Sequence, residues 1–424
     1  MRFPAELTVT IPRRWAWALG IGMGLLGGML VWLLLAAHGA APAVVAAVQG
    51  AAQAVERRVM GPVPLRLAPP AVRESAASHG ADEYELCAGT WVKANADGQP
   101  DAADMARAVR RDDLMRTIAD KLDADPRPQA RAARLWLQMQ STGAVVAVAV
   151  ADARNSLARL AIGTPDPATY ALAFHTCGSG RVRDGDCALL SAEQWARLDP
   201  GNAAPWQEVF AAAQQRRDTA SANEALHRIA TSQRSELRMF DLLRMILEVA
   251  PDDDASQNGV FMLAGQVFGV QAAWPFPAYQ PLVSACRQDM LRDSNRRQTC
   301  EAIAELLAQK SDTSIERGIG ISLGGQLGWP AERTERMRAE QMAYSSSAHV
   351  AIEARDAMSC AAVRRSNEQV RRVARLGETG ALRDWLAHEA PPPDELVRRY
   401  RSQMTELAKA TAAAQAASAA SAPR

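Results

Sequence analysis

Lysine is nearly missing from this chain: Lys93, Lys121, Lys310 and Lys409 are the full set, and arginine supplies almost all of the positive charge. Alongside the abundance of alanine, that reflects a GC-rich bacterial coding bias rather than chemistry. Aromatic residues make up only 5% and long β-branched runs are few, which excludes an all-β fold. A basic excess is absent too, with 48 basic against 47 acidic residues and a formal charge of +1. Nucleic-acid binders concentrate a clear basic excess on one face, so no nucleic-acid partner is expected. Neither H-E-x-x-H nor S-x-x-K occurs, nor any paired C-x-x-C knuckle. No catalytic, cofactor-binding or metal-ligating residue is therefore nominated, and no cofactor is expected. A triad assembled from distant residues stays compatible with this pattern.

Trp15 to Ala37 carries no charge. At about 1.5 Å rise per residue it is long enough to cross a hydrocarbon core of about 30 Å. Arg2, Arg13 and Arg14 precede it, and Arg57 is the first basic residue after it. That asymmetry puts residues 1–14 in the cytoplasm as a short tail and everything after the span on the far side. Trp15 and Trp17 stand where an interfacial aromatic belt is expected. A cleavable signal peptide is the rival, with Ala37-His38-Gly39 as the cleavage site, but signal-peptide apolar cores are shorter than this run. Both readings export the rest of the chain; the anchor places it at a bacterial inner membrane with the main domain periplasmic. Gly20, Gly24 and Gly28 share one face of the span, the spacing that lets two membrane helices pack closely. They nominate self-association or a membrane partner.

Residues 38–82 are rich in Ala, Pro and Val and read as a linker. Residues 83–408 carry a helical pattern with short connections holding Pro, Gly, Asp or Asn. The segment Asp101 to Leu122 reads as one long helix, with further helices over Arg127 to Gln140, Ala147 to Ile162, Glu236 to Val249, Pro281 to Arg292, Gln298 to Gln309, Ala331 to Met342 and Asp394 to Leu407. Asp166-Pro167, Ser191-x-x-Gln194 and Ser221-x-x-Glu224 read as helix starts or their reinforcement. Residues 409–424 are Ala-Ser-rich and are expected to be disordered. The fold class is all-α: a single membrane helix followed by an α-solenoid-like or helical-bundle domain.

One unit, Leu198 to Ala230, resembles a tetratricopeptide-type repeat junction. Leu198-Asp199-Pro200 closes one hairpin, Trp206 and Val209 begin the next, Asp218 marks a turn, and Ala222 takes the small position where helices touch. One step of the about 34-residue period back, Asp184 and Ala188 match Asp218 and Ala222. Phe210 and Arg234 depart from that pattern, and the likeness stays around Leu172 to Ala230. The resemblance implies a groove that binds peptides or partner proteins.

Six cysteines beyond an export segment read as disulfides. Cys286 and Cys300 are nearly symmetric about Asp293-Ser294-Asn295, and Cys177 and Cys187 flank a Gly-rich loop; elimination leaves Cys87 with Cys360. Zinc through His175, Cys177 and Cys187 is the weaker alternative, lacking a fourth ligand. The glycines at 318, 320, 324, 325 and 328 read as close helix packing, because no strand precedes them as a phosphate loop requires. Asn95-Ala96-Asp97-Gly98 reads as a polar turn, since Lys93 stands where a calcium loop needs its first acid. Asp252-Asp253-Asp254 reads as acid at a helix start, and His349 with Glu353 as a surface pair. The function expected is a membrane-anchored scaffold that binds proteins or envelope components. The alternative is a cell-envelope enzyme with a non-local active site.

Overall fold

The structure is a computed structural model that describes residues 83–93, 102–140, 146–178, 184–272, 274, 277, 279–348 and 359–420. The expected span with Gly20, Gly24 and Gly28, the linker, the Asn95 turn and the His349–Glu353 pair lie outside the described residues. Among the described residues no helix is long and apolar enough to cross a membrane. The fold is mostly helical.

A small hairpin opens it. β1 (Glu83–Glu85) pairs antiparallel with β2 (Trp91–Lys93), Tyr84 opposite Val92, around a 3-10 turn at Cys87–Gly89. Leu86 and Val92 join Met105 of α1 (Ala102–Ala108) and Val109 in a small core, with Met262 packed against it. The single helix expected over 101–122 is two. Arg110 adopts a left-handed φ of 48°, and α2 (Arg111–Ala124) starts beyond it. The break leaves Val109 with the hairpin core while Leu114, Ile118 and Leu122 enter the main core.

Helical starts follow local chemistry. Pro128 opens α3 (Pro128–Met139), and α4 spans Val146–Ile162. Asp166 accepts from the Thr169 N–H at 2.6 Å and so caps α5 (Pro167–Gly178), a helix buried almost all round. Ser191 caps α6 (Ala192–Leu198), Asn202 caps α7 (Ala203–Arg216) and Asp218 caps α8 (Thr219–Thr231). The rest are α9 (Met239–Val249), α10 (Asp254–Ala272), α11 (Tyr279–Ala285), α12 (Ser294–Lys310), α13 (Ser314–Gln326), α14 (Ala331–Ala348), α15 (Cys360–His388) and α16 (Pro393–Ala420). α16 runs past the boundary expected at 408. Alanine is the best intrinsic helix former, so the Ala-rich stretch prolongs a helix that is already nucleated.

From α2 to α8 each helix packs on the next. The order then breaks: α8 meets α12, while α9 turns back onto α2, α3 and α5 and is covered by α10 and α15. In a solenoid each unit touches only its neighbours, so this packing is that of a bundle. Two main cores result. The larger joins α2 to α6 with α9, α10 and α14 to α16 around Trp136, Tyr170, Trp195 and Leu243. The second joins α7, α8 and α11 to α13 around Phe210, Leu226, Ile303 and Leu307.

Candidate functional site

Where the two cores adjoin, helix starts that are far apart in sequence meet along a strip of backbone. The Ala203 N–H donates to the Arg234 carbonyl (2.8 Å) and the Gln233 N–H to that of Gly201 (2.9 Å). Next along, the Ser235 N–H donates to Lys310 (3.0 Å), Asp312 to Ser235 (2.9 Å) and Glu378 to Asp312 (2.8 Å). Asn202 pairs with Arg234, and Ser235 with Ser311, as isolated parallel bridges. Gly377, at φ 68°, interrupts α15 so that its second half can start here; a Cβ there would lie 2.9 Å from the Asp312 carbonyl oxygen. Only glycine meets both demands.

Side chains complete the seam. Asn202 is fully buried; its Oδ1 accepts from the Ala204 and Glu236 N–H groups (3.1 and 2.8 Å), and its Nδ2 donates to Asp199 Oδ2 (2.9 Å). Asp199, also buried, accepts from Arg234 and Arg238, so its charge is compensated. Glu316 is different. It is fully buried, and its Oε1 accepts from Gln207 Nε2 (2.7 Å) and Ser235 Oγ (2.9 Å) without a cation. Half-buried Asp312 accepts the Leu237 N–H at 3.2 Å, and half-buried Glu378 accepts the Ser314 N–H at 2.6 Å. The Tyr279 hydroxyl interacts with Glu316 without hydrogen-bond alignment to any atom.

Burial governs the protonation of this group. It pushes the Glu316 carboxyl up to about 7 against the hydrogen bonds from Gln207 and Ser235. Asp312 is raised well above the carboxylate range by burial and then by the Glu316 charge, and Glu378 is raised by burial. Burial and the surrounding carboxylates raise the Tyr279 phenol well above 10.0. The arrangement can hold a proton among acids at a helix–helix junction.

None of these residues was nominated from sequence. They span Gln207 to Glu378, and only folding unites them. One signal was legible: Thr313-x-x-Glu316 has the capping-box spacing, and Thr313 does cap α13. The second half of that box is not made, because Glu316 points into the seam instead.

The cysteines pair as spacing and elimination set out: Cys87 with Cys360, Cys177 with Cys187, and Cys286 with Cys300, at Cα separations of 4.5, 5.5 and 5.7 Å. No described cysteine is free. Zinc is ruled out at His175 because both nearby thiols are bonded, and the imidazole Nε2 lies 3.1 Å from the Leu237 carbonyl. His175 is a core residue, stacked 5.4 Å from Trp274. Among the described residues no His, Cys, Asp and Glu side chains group as a metal site.

Gly320 packs α13 on α12: an added Cβ would meet the Ala304 carbonyl and the Ala308 backbone. Gly324 lies under the Trp329 ring. Gly328, also expected to serve helix packing, instead follows the helix in a turn at φ 95°. Sequence reasoning passed over one pattern here. Gly320-Ile321-Ser322-Leu323-Gly324 has the G-x-S-x-G spacing of a nucleophile elbow, which requires a sharp strand-to-helix turn. Ser322 sits inside α13, which follows another helix, so that geometry is not present.

Asp253, not Asp254, caps α10, accepting from the Ser256 N–H at 3.1 Å; Asp252 and Asp254 bind Arg371 and Arg364. In the tetratricopeptide-like segment, Asp218 caps α8 and Ala222 is buried, whereas Ala188 is exposed in a 3-10 turn at Gly185–Leu189. The two positions one period apart therefore differ in structure. A surface hollow of about 400 Å³ is lined by Arg131, Ser156, Arg159, Leu160 and Gly163. No protein-family model, curated protein or solved structure matches this chain.

Proposed function

We propose that the chain is a single-pass protein of a bacterial inner membrane whose helical domain lies in the periplasm and binds other proteins or envelope components. The pairing of all six cysteines carries this reading. Such bridges persist in oxidising compartments and are rare in the cytosol. The uncharged run Trp15 to Ala37, with Arg13 and Arg14 before it, supplies the means of export. A binding role is supported by how the reactive side chains are used. His175 is packed among Phe174, Trp195 and Trp274, and Glu316 is engaged by Gln207 and Ser235, so both serve the interior. The α7–α8 hairpin, where the tetratricopeptide resemblance falls, is the part proposed to present a partner surface. Self-association through Gly20, Gly24 and Gly28 belongs to the same proposal.

A reporter that is active only outside the cytoplasm, fused after Arg424, is expected to be active. A fusion active only when retained in the cytosol would remove the export reading. Crosslinking in intact membranes followed by pull-down is expected to recover a reproducible set of envelope proteins, lost when the α7–α8 surface is substituted. The fully buried Glu316 carboxyl, held by Gln207 and Ser235 without a cation, is the observation that favours the alternative, a cell-envelope enzyme. Substrate turnover abolished by Glu316→Gln in a folded protein would select that alternative.

A further inference from the structure

We propose that the buried seam is a protonation-controlled latch: a proton on the Glu316 carboxyl keeps the starts of α7, α13 and the second half of α15 knitted together, and its loss loosens the junction between the two cores. The latch does not depend on which compartment holds the domain.

The hydrogen-bond count carries the proposal. Glu316 Oε1 takes Gln207 Nε2 and Ser235 Oγ, while Glu316 Oε2 and Gln207 Oε1 are buried with no aligned donor, the neighbouring Tyr279 hydroxyl included. Buried acceptors without donors are costly, and a buried carboxylate without a cation more so. A proton on the Glu316 carboxyl answers both deficits. It removes a charge and turns a buried acceptor oxygen into an O–H donor beside Asp312, Glu378 and the unpaired Gln207 Oε1.

Among the described residues the surrounding charges leave no other compensation. From α7, Glu208 acts on Tyr279; from the segment before α9, Glu236 acts on Asp312; from α15, Glu378 does the same. All three are acidic. Nearby cations are engaged elsewhere: Arg234 and Arg238 by Asp199 and Glu236, Arg317 by Glu340 and the Ala308 carbonyl, and Arg383 by the Gln309 carbonyl, while Lys310 is exposed. Burial raises the affinity of Glu316 and Asp312 for protons, in the direction the count requires. The seam also stands between the two cores. Gln207 and Glu316 belong to helices of the second core, Glu378 to a helix of the first, and Ser235 to the segment passing between them.

Hydrogen exchange of the full chain in detergent, followed by mass spectrometry and corrected for intrinsic rates, tests this. Between about pH 5 and about pH 8, protection at 232–238, 310–316 and 376–380 is expected to fall about a hundredfold relative to 130–137 in α3. Glu316→Gln, which keeps the shape and supplies a permanent donor, is expected to retain at the higher pH the protection seen at the lower. Equal pH response in the seam and α3 would overturn the latch, as would an unaltered fall in Glu316→Gln. Protection restored at the higher pH by calcium alone would overturn it in favour of a cation site. If Glu316→Gln does not fold, the wild-type exchange profile decides.

Discussion

Gly320 shows how much one absent side chain can determine. Its bare Cα lets α13 lie on the backbone of α12 at Ala304 to Ala308. Gly320→Ala is expected to destabilise the domain by about 1–3 kcal/mol, because rigid backbone must move to admit the methyl group. Gly318→Ala, which meets only the tip of Gln341, is the control and is expected to be neutral or slightly stabilising. Chemical denaturation of both variants checks the difference. At Glu316 the burial-raised carboxyl links stability to pH. Its value rises from 4.5 to about 7, so the stability it contributes is full below about pH 4.5 and is lost as pH rises through about 7. Asp125 and Asp218, lowered by their hydrogen bonds, have the opposite sign, and theirs is lost only in stronger acid. Global denaturation midpoints are therefore expected to fall between about pH 5 and about pH 8; midpoints that rise over that window would contradict the assignment. The cysteines and the glycine packing role were legible from spacing. Glu316 was not, because burial is a property of neighbours that lie far away in sequence.

Among the elements, the stapled ones differ in what they secure. The Cys286–Cys300 bridge closes a sequence separation of 14 and Cys87–Cys360 one of 273. In the chain-entropy account the second removes more freedom from the unfolded chain, about 5.6 kcal/mol against about 3. Replacing Cys87 and Cys360 by serine is thus expected to lower the denaturation midpoint more than replacing Cys286 and Cys300, and paired denaturant titrations decide it. The Cys87–Cys360 bridge also pins the short hairpin, whose Cys87 N–H donates to Asn258 Oδ1 at 2.8 Å. Sequence periodicity missed that hairpin, since three-residue strands are too short to show alternation. It also merged α1 with α2, because the break at Arg110 answers a demand of packing and bears no Gly or Pro. Where the start of a helix was set by its own residues, as at Asp166 and Ser191, the reading and the structure agree.

Over the whole molecule, helical class and the cysteine pairs follow from composition, periodicity and chain separation, quantities that are local or nearly so. Of the two architectures expected, solenoid-like and bundle, the solenoid does not account for α9. Its apolar face, Met239 to Leu247, buries against α2, α3 and α5 instead of continuing the stack. Substituting Leu243, which is fully buried there, with alanine is expected to cost about 2–5 kcal/mol, and thermal melting would register it. From residues alone came the all-α character and the partners of each sulfur, because these depend on runs, spacings and counts. The return of α9, the junction of two cores and the carboxyls enclosed between them were decided only by tertiary structure. Each of those depends on which apolar surfaces exclude water from one another, and that choice is made among segments no sequence window contains together.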